Sequence, residues 1–165
     1  MLEPPDIHYL SAALGWMELG NFREAKAELA RISTTLAEHA DVLEVRWLIL
    51  AAEQNWPAAL EMARILLKGD PDRPFGWLHQ AYALRRVPDG GLQAAWDALH
   101  PVADRFPQEP TIPYNLSCYA CQMGRLEEAR KWLQRACAVG GKASVKSMAL
   151  ADADLEPLWN EIRRW

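Results

Sequence analysis

The chain has 165 residues, 50% hydrophobic and 24% charged, with a formal net charge of −4. That length suits one globular domain, the apolar content excludes a disordered chain, and the acidic balance disfavours a phosphate-neutralising surface. Three cysteines are too few, and odd in number, for a disulfide framework.

The first residues, Met1-Leu2-Glu3-Pro4-Pro5-Asp6, lack the basic and apolar regions of a secretory signal. Helical spacing of apolar residues then predicts helices over 6–19 and 22–37. Between them, Asn21 is placed to accept from the backbone at Glu24 while Glu24 reaches back, a capping-box arrangement. Phe22, Ala25, Leu29 and Ile32 form the apolar face of the second helix. A third helix is predicted over 40–53. Val42–Ala52 is rich in Val, Ile and Leu and has a strand-like composition, but it is apolar all round except Glu44 and Arg46, which suits an inner helix. Its run Trp47–Ala52 is the longest unbroken apolar stretch and falls far short of the roughly 20 residues of a membrane span. Helices over 56–68 and 74–86 carry Pro57 and Pro74 in their first turns, where a missing amide hydrogen is tolerated. After the turn cluster Val87-Pro88-Asp89-Gly90-Gly91, helices are predicted over 91–105, 111–123 and 126–138, with shorter ones over 142–150 and 155–164. Such short connections fit antiparallel helical hairpins, so the chain reads as all-α.

A repeat runs through these helices. Gly20-Asn-Phe-Arg-Glu-Ala25, Gln54-Asn-Trp-Pro-Ala-Ala59, Gly90-Gly-Leu-Gln-Ala-Ala95 and Gly124-Arg-Leu-Glu-Glu-Ala129 each place a large apolar residue three positions before an alanine. The alanines are 34, 36 and 34 residues apart, and the turn cluster 87–91 accommodates the two extra residues. Asp70-Pro71 and Phe106-Pro107 provide a second ruler of 36. The first unit has Tyr9, Ala13, Trp16, Gly20, Phe22, Ala25 and Leu29; the third has Trp77, Ala81, Leu84, Leu92, Ala95 and Leu99; the fourth has Leu116, Ser117, Gly124, Leu126, Ala129, Leu133 and Ala136. On these residues the chain resembles a tetratricopeptide-repeat protein of bacterial type. The second unit departs from the pattern: Trp47 stands where a small residue is usual and Gln54 replaces the glycine. The resemblance implies a right-handed α-solenoid forming a single domain over 1–165. Its repeats would span about 6–39, 40–73, 74–109 and 110–143, with a C-terminal cap over 144–165. In that cap Leu155, Leu158, Trp159 and Ile162 are expected to face inward and Glu156, Asn160, Glu161, Arg163 and Arg164 outward. Most of the eight tryptophans are expected to serve packing.

The resemblance further implies a concave groove lined by the first helix of each unit. Carried onto this chain, its partner-binding candidates are Leu10, Leu14, Met17, Leu48, Phe75, Leu78, Tyr82, Arg85, Arg86, Tyr114 and Cys118. An acidic spot at Asp41 and Glu44 and a basic one at Arg85 and Arg86 accompany them. The clamp of lysine, asparagine and arginine with which chaperone-binding members hold a C-terminal carboxylate is replaced here by Leu10, Leu14, Val45, Phe75 and His79, which offer almost no charge-assisted donors. The expected partner is therefore a protein or peptide presenting an amphipathic helix or an extended apolar segment. Met1–Asp6 is an alternative occupant of part of the groove.

No nucleotide-binding glycine loop, zinc-protease motif or serine-hydrolase elbow occurs. Cys118-Tyr-Ala-Cys121 has dithiol spacing but falls inside a first helix rather than at a helix start, where the dipole would activate it. Cys137, without a nearby histidine, does not complete a zinc site. His39 beside Asp41 and Glu44 reads as a helix cap, and Asp152 and Asp154 as acids at a helix start. The expectation is a non-catalytic, cytoplasmic adaptor with no cofactor, no metal, and no nucleic-acid or membrane partner. The alternatives are a self-associating structural module, using the open edge of the first unit or Trp159 and Trp165, and more remotely a thiol redox enzyme using Cys118 and Cys121. A homo-oligomer remains an option for the first alternative.

Overall fold

A computed structural model describes residues 2–165. Among them are ten α-helices and no strand: α1 (Asp6–Glu18), α2 (Phe22–Leu29), α3 (Ala40–Ala52), α4 (Trp56–Gly69), α5 (Pro74–Leu84), α6 (Leu92–Leu99), α7 (Thr111–Gln122), α8 (Leu126–Gly140), α9 (Lys142–Ala151) and α10 (Trp159–Ile162). No helix is long and apolar enough to cross a membrane. The chain divides into two compact units, Met1–His79 and Gln80–Trp165, the division falling within α5.

In the first unit α1 packs on α2, α3 on α4, and α3 also meets α1 and α2. Its core joins Leu10, Ala13, Ala25, Leu29, Val42, Val45 and Ile49, with Leu2 buried among them. Met1, part of the segment considered above as a groove occupant, lies outside the described residues. In the second unit α7 packs on α8 and α6, α8 on α9, and the 3-10 segment Ala153–Leu158 lies on α7.

The joints within the pairs α1–α2, α3–α4 and α7–α8 are built alike. The Gly20 amide donates to the Met17 carbonyl (2.9 Å) and the Asn21 amide to Trp16 (2.8 Å). Gln54 and Asn55 repeat this on Ala51 (3.0 Å) and Leu50 (2.9 Å), and Gly124 and Arg125 on Cys121 (3.0 Å) and Ala120 (2.9 Å). Each is a helix stop whose left-handed residue closes the last turn: φ is 73° at Gly20, 58° at Gln54 and 75° at Gly124. Gln54 thus adopts the conformation that its glycine counterparts reach without a Cβ penalty. At the joint between α5 and α6 the Gly91 amide spans back to Leu84 (2.9 Å), seven positions rather than five, so the two extra residues are absorbed there. A Cβ on Gly90 would lie 1.9 Å from the Leu84 oxygen, so only glycine fits. Of the two glycine pairs at the joints, the positive φ falls on Gly91 and Gly141. The four alanines that set the period, Ala25, Ala59, Ala95 and Ala129, have no exposed surface.

Three predicted helices are shorter or broken. The helix over 22–37 ends at Leu29, and 3-10 geometry covers only Thr34–Leu36. The cause lies at Ser33, whose extended backbone lets its amide (2.7 Å) and hydroxyl (2.8 Å) both donate to the buried Asp6 carboxylate. The helix over 91–105 ends at Leu99, because Pro101 has no amide hydrogen to continue the helical ladder; His100 keeps helical dihedrals (φ −57°, ψ −44°) and a 3-10 turn follows over His100–Val102. The helix over 155–164 is split by Pro157 into the 3-10 segment and the short α10. The capping box is half formed: Asn21 accepts from the Glu24 amide (3.3 Å), while its own amide is taken by Trp16. His39 caps α3, its Nδ1 accepting from the Asp41 amide at 3.3 Å. Leu155, Leu158 and Ile162 are buried and the five polar residues of the cap exposed; Trp159 is half-buried and donates to the Ala149 carbonyl (2.8 Å). Of the tryptophans, Trp47 and Trp96 are buried and Trp16 is exposed.

Candidate functional site

The groove candidates fall into distinct environments. In the first unit Leu10 and Leu78 are buried, Leu14, Met17 and Leu48 are half-buried, and Phe75 is 40% exposed. Leu14 and Met17 pack against the core of that unit. Behind Phe75, the His79 imidazole stacks on the Trp47 indole with centroids 3.8 Å apart and planes 7° apart. The bulky Trp47 is thus accommodated by an aromatic partner rather than by a gap. Burial lowers the His79 pKa to about 4, so the ring is neutral at physiological pH. Burial also raises the Glu44 pKa, partly offset by Arg73, which bonds Asp41 at 3.0 Å.

In the second unit Tyr82 is 38% exposed, with the Arg86 guanidinium 3.6 Å from its ring centroid. Arg85, Tyr114 and Cys118 are instead covered by the chain's own segment after α9. Asp152 caps that segment, accepting from the Asp154 amide at 3.0 Å. Its other oxygen accepts from the Tyr114 hydroxyl (3.0 Å) and the Cys118 thiol (3.5 Å). Arg85 forks onto both oxygens of Asp154, with Nη2 to Oδ1 at 2.7 Å. Gln122 donates to the Asp154 carbonyl (2.9 Å), and Leu155 is wholly buried. Successive turns of α7 therefore hold the Asp152 carboxylate and the Asp154 backbone of a short acidic segment, while Arg85, just after α5, takes the Asp154 carboxylate.

Electrostatics in this cluster oppose thiol chemistry. Burial, then the Asp152 and Asp154 carboxylates, push the Cys118 thiol far above its ordinary range, with Arg85 pulling the other way. Burial likewise raises Cys121 and, with Cys118 and Asp152, Tyr114. A neutral buried thiol is a poor nucleophile. Cys118 Sγ and oxygens of Asp152 and Asp154 lie within 4.8 Å of one another, a grouping able to hold a cation. The Arg85 guanidinium pairs with Asp154 and offsets one of the two carboxylate charges, and its own pKa is raised chiefly by that bond.

Sequence reasoning found Arg85, Tyr114 and Cys118 but not what meets them. Asp152 and Asp154 were legible as a helix start, and Asp152 does cap. Their second role joins positions 34 to 69 residues apart, which local spacing does not reveal. No family model matches the chain, and no curated protein matches it.

Proposed function

We propose that the chain is a tetratricopeptide-type right-handed α-solenoid, a single cytoplasmic domain that acts as a non-catalytic adaptor for a protein or peptide partner. The near-identical joints after α1, α3 and α7 and the four fully buried alanines at 34- and 36-residue intervals support the repeat. The observation that carries the binding role is the seating of Asp152–Leu155 on α7. Positions that the repeat assigns to ligand contact, Tyr114, Cys118 and Gln122, hold a non-repeat segment there. The counterparts of Cys118 on the earlier first helices, Leu14, Leu48 and Tyr82, retain exposed surface, as do Met17 and Phe75 at other groove positions. Apolar and aromatic side chains of this kind carry most interface energy when covered.

Affinity capture from the source organism's lysate tests this, comparing wild type with a folded Leu14→Glu/Tyr82→Glu variant. A protein held by wild type and lost by the variant places the site; equal capture by both removes these residues from it. Self-association is a second reading, favoured by Leu19 at the end of α1, which is 76% exposed beside the exposed Trp16. A molar mass in light scattering that stays monomeric at every concentration eliminates it.

A further inference from the structure

Between α2, α3 and α4 of the first unit lies a surface cleft of about 310 Å³. Its apolar lining comes from Leu29 on α2, Ile49 and Leu50 on α3, and Met62 on α4. Two cations border it, Lys26 and Arg46, and no acidic residue lines it among the described residues. The two cations are not equivalent. The Lys26 ammonium is held by both oxygens of Glu53, at 2.6 and 2.7 Å. Arg46 is half-buried and its guanidinium has no ion pair or hydrogen bond among the described residues. The cleft therefore combines an apolar floor with one uncompensated positive side chain at its border.

We propose that this cleft binds an anionic amphiphile, an aliphatic carboxylate whose chain lies on Leu29, Ile49, Leu50 and Met62 while its carboxylate takes the fork of Arg46. The size sits at the lower end of the range for small-molecule pockets, which suits a chain of about 8–12 carbons rather than a bulky ligand. A guanidinium matches the two oxygens of a carboxylate in one plane. Glu53 neutralises Lys26, so the net charge available at the rim is +1 and a monoanion balances it. The site is separate from the partner-binding residues proposed above and stands or falls without them.

The test is titration of the full chain with decanoate and, as an uncharged control, decanol, followed by calorimetry and by NMR of the methyl groups. Decanoate below its micelle concentration is expected to bind and to shift the Met62, Leu50 and Leu29 methyl signals. Arg46→Gln is expected to weaken decanoate about tenfold or more, with decanol unaffected, as for loss of a charge-assisted pair. Arg46→Lys, which keeps the charge but not the fork, should fall between them and guards against a folding defect in the first variant. Met62→Glu should abolish binding of both ligands. Equal affinity of wild type for decanoate and decanol overturns the proposal, as do methyl shifts confined to residues outside the cleft. Absence of decanoate binding overturns it too, and an acidic amphipathic peptide binding there instead would assign the cleft to a protein partner.

Discussion

His79 makes the first unit sensitive to acid. The residue is 9% exposed, its ring stacked on Trp47, and its Nε2 is buried with no hydrogen-bond partner among the described residues. Protonation would place a charge in that site, and burial accordingly lowers the pKa from 6.5 to about 4. The unfolded chain thus takes up a proton below pH 6.5 that the native state refuses. Stability from the neutral ring is full above pH 6.5, is lost as pH falls from 6.5 toward 4, and stays lost below. That separation corresponds to about 3 kcal/mol, a large fraction of the stability of a small domain. Urea unfolding between pH 4 and 8 measures it, comparing wild type with His79→Phe, which keeps a ring against Trp47 but cannot titrate. The difference isolates His79 because both proteins retain Glu44 and every other acid. Wild type should lose about 3 kcal/mol relative to the variant between pH 7 and pH 4. Parallel stability profiles across that window would refute the reasoning.

The joints and the thiols supply three further expectations. Gln54→Gly should stabilise the chain by about 0.5–1 kcal/mol, since relief of a left-handed side chain exceeds the added freedom of the unfolded state; a lower urea midpoint would contradict this. Gly90→Ala should cost about 2–4 kcal/mol, because the joint must open to clear the Leu84 oxygen and loosens the Gly91–Leu84 hydrogen bond; an unchanged midpoint would show that the turn yields freely. Alkylation at pH 8, followed by mass spectrometry, should label the half-buried Cys137 well before Cys118 and Cys121, with all three reacting in guanidinium. Equal labelling of Cys118 and Cys137 in the native chain would overturn the account of a suppressed thiol.

The elements most legible in the sequence are those determined by local chemistry. The helices starting at Phe22 and Trp56 follow from a turn residue, an asparagine cap and a periodic apolar face, and the helix starting at Leu126 from its turn glycine and apolar face without a side-chain cap. The strand-like composition of Val42–Ala52 is outweighed by its being apolar all round except Glu44 and Arg46, and the segment lies within α3. What local reading missed was set at a distance. Apolar periodicity continues from Leu29 to Ile32, yet the helix stops because Asp6, 27 residues earlier, captures Ser33. Two breaks were nearer to hand, since Pro101 and Pro157 lie inside the predicted helices, but a smooth apolar pattern hid their effect. The groove candidates divide similarly: residue type identifies Phe75 and Tyr82 as exposed aromatics, whereas the burial of Tyr114 and Cys118 depends on a segment more than 30 residues downstream.

That downstream segment covers the second unit's candidates Arg85, Tyr114 and Cys118. Its anchoring combines the fork of Arg85, just after α5, on Asp154, the α7 bonds to Asp152 and the apolar side chains Leu155, Leu158 and Ile162, each at most 1% exposed. Burial of three such side chains contributes roughly 5–9 kcal/mol as an upper estimate. The polar contacts alone are weaker, because ion pairs and hydrogen bonds that exchange for water return only about 1–3 kcal/mol each. A free peptide offering the same carboxylates would also lose translational freedom that the tethered segment does not. Displacement from α7 is therefore unfavourable, and the segment acts as a permanent cap rather than a removable plug. Within the second unit, the groove candidate that this segment leaves with the most exposed surface is Tyr82, 38% exposed near the end of α5.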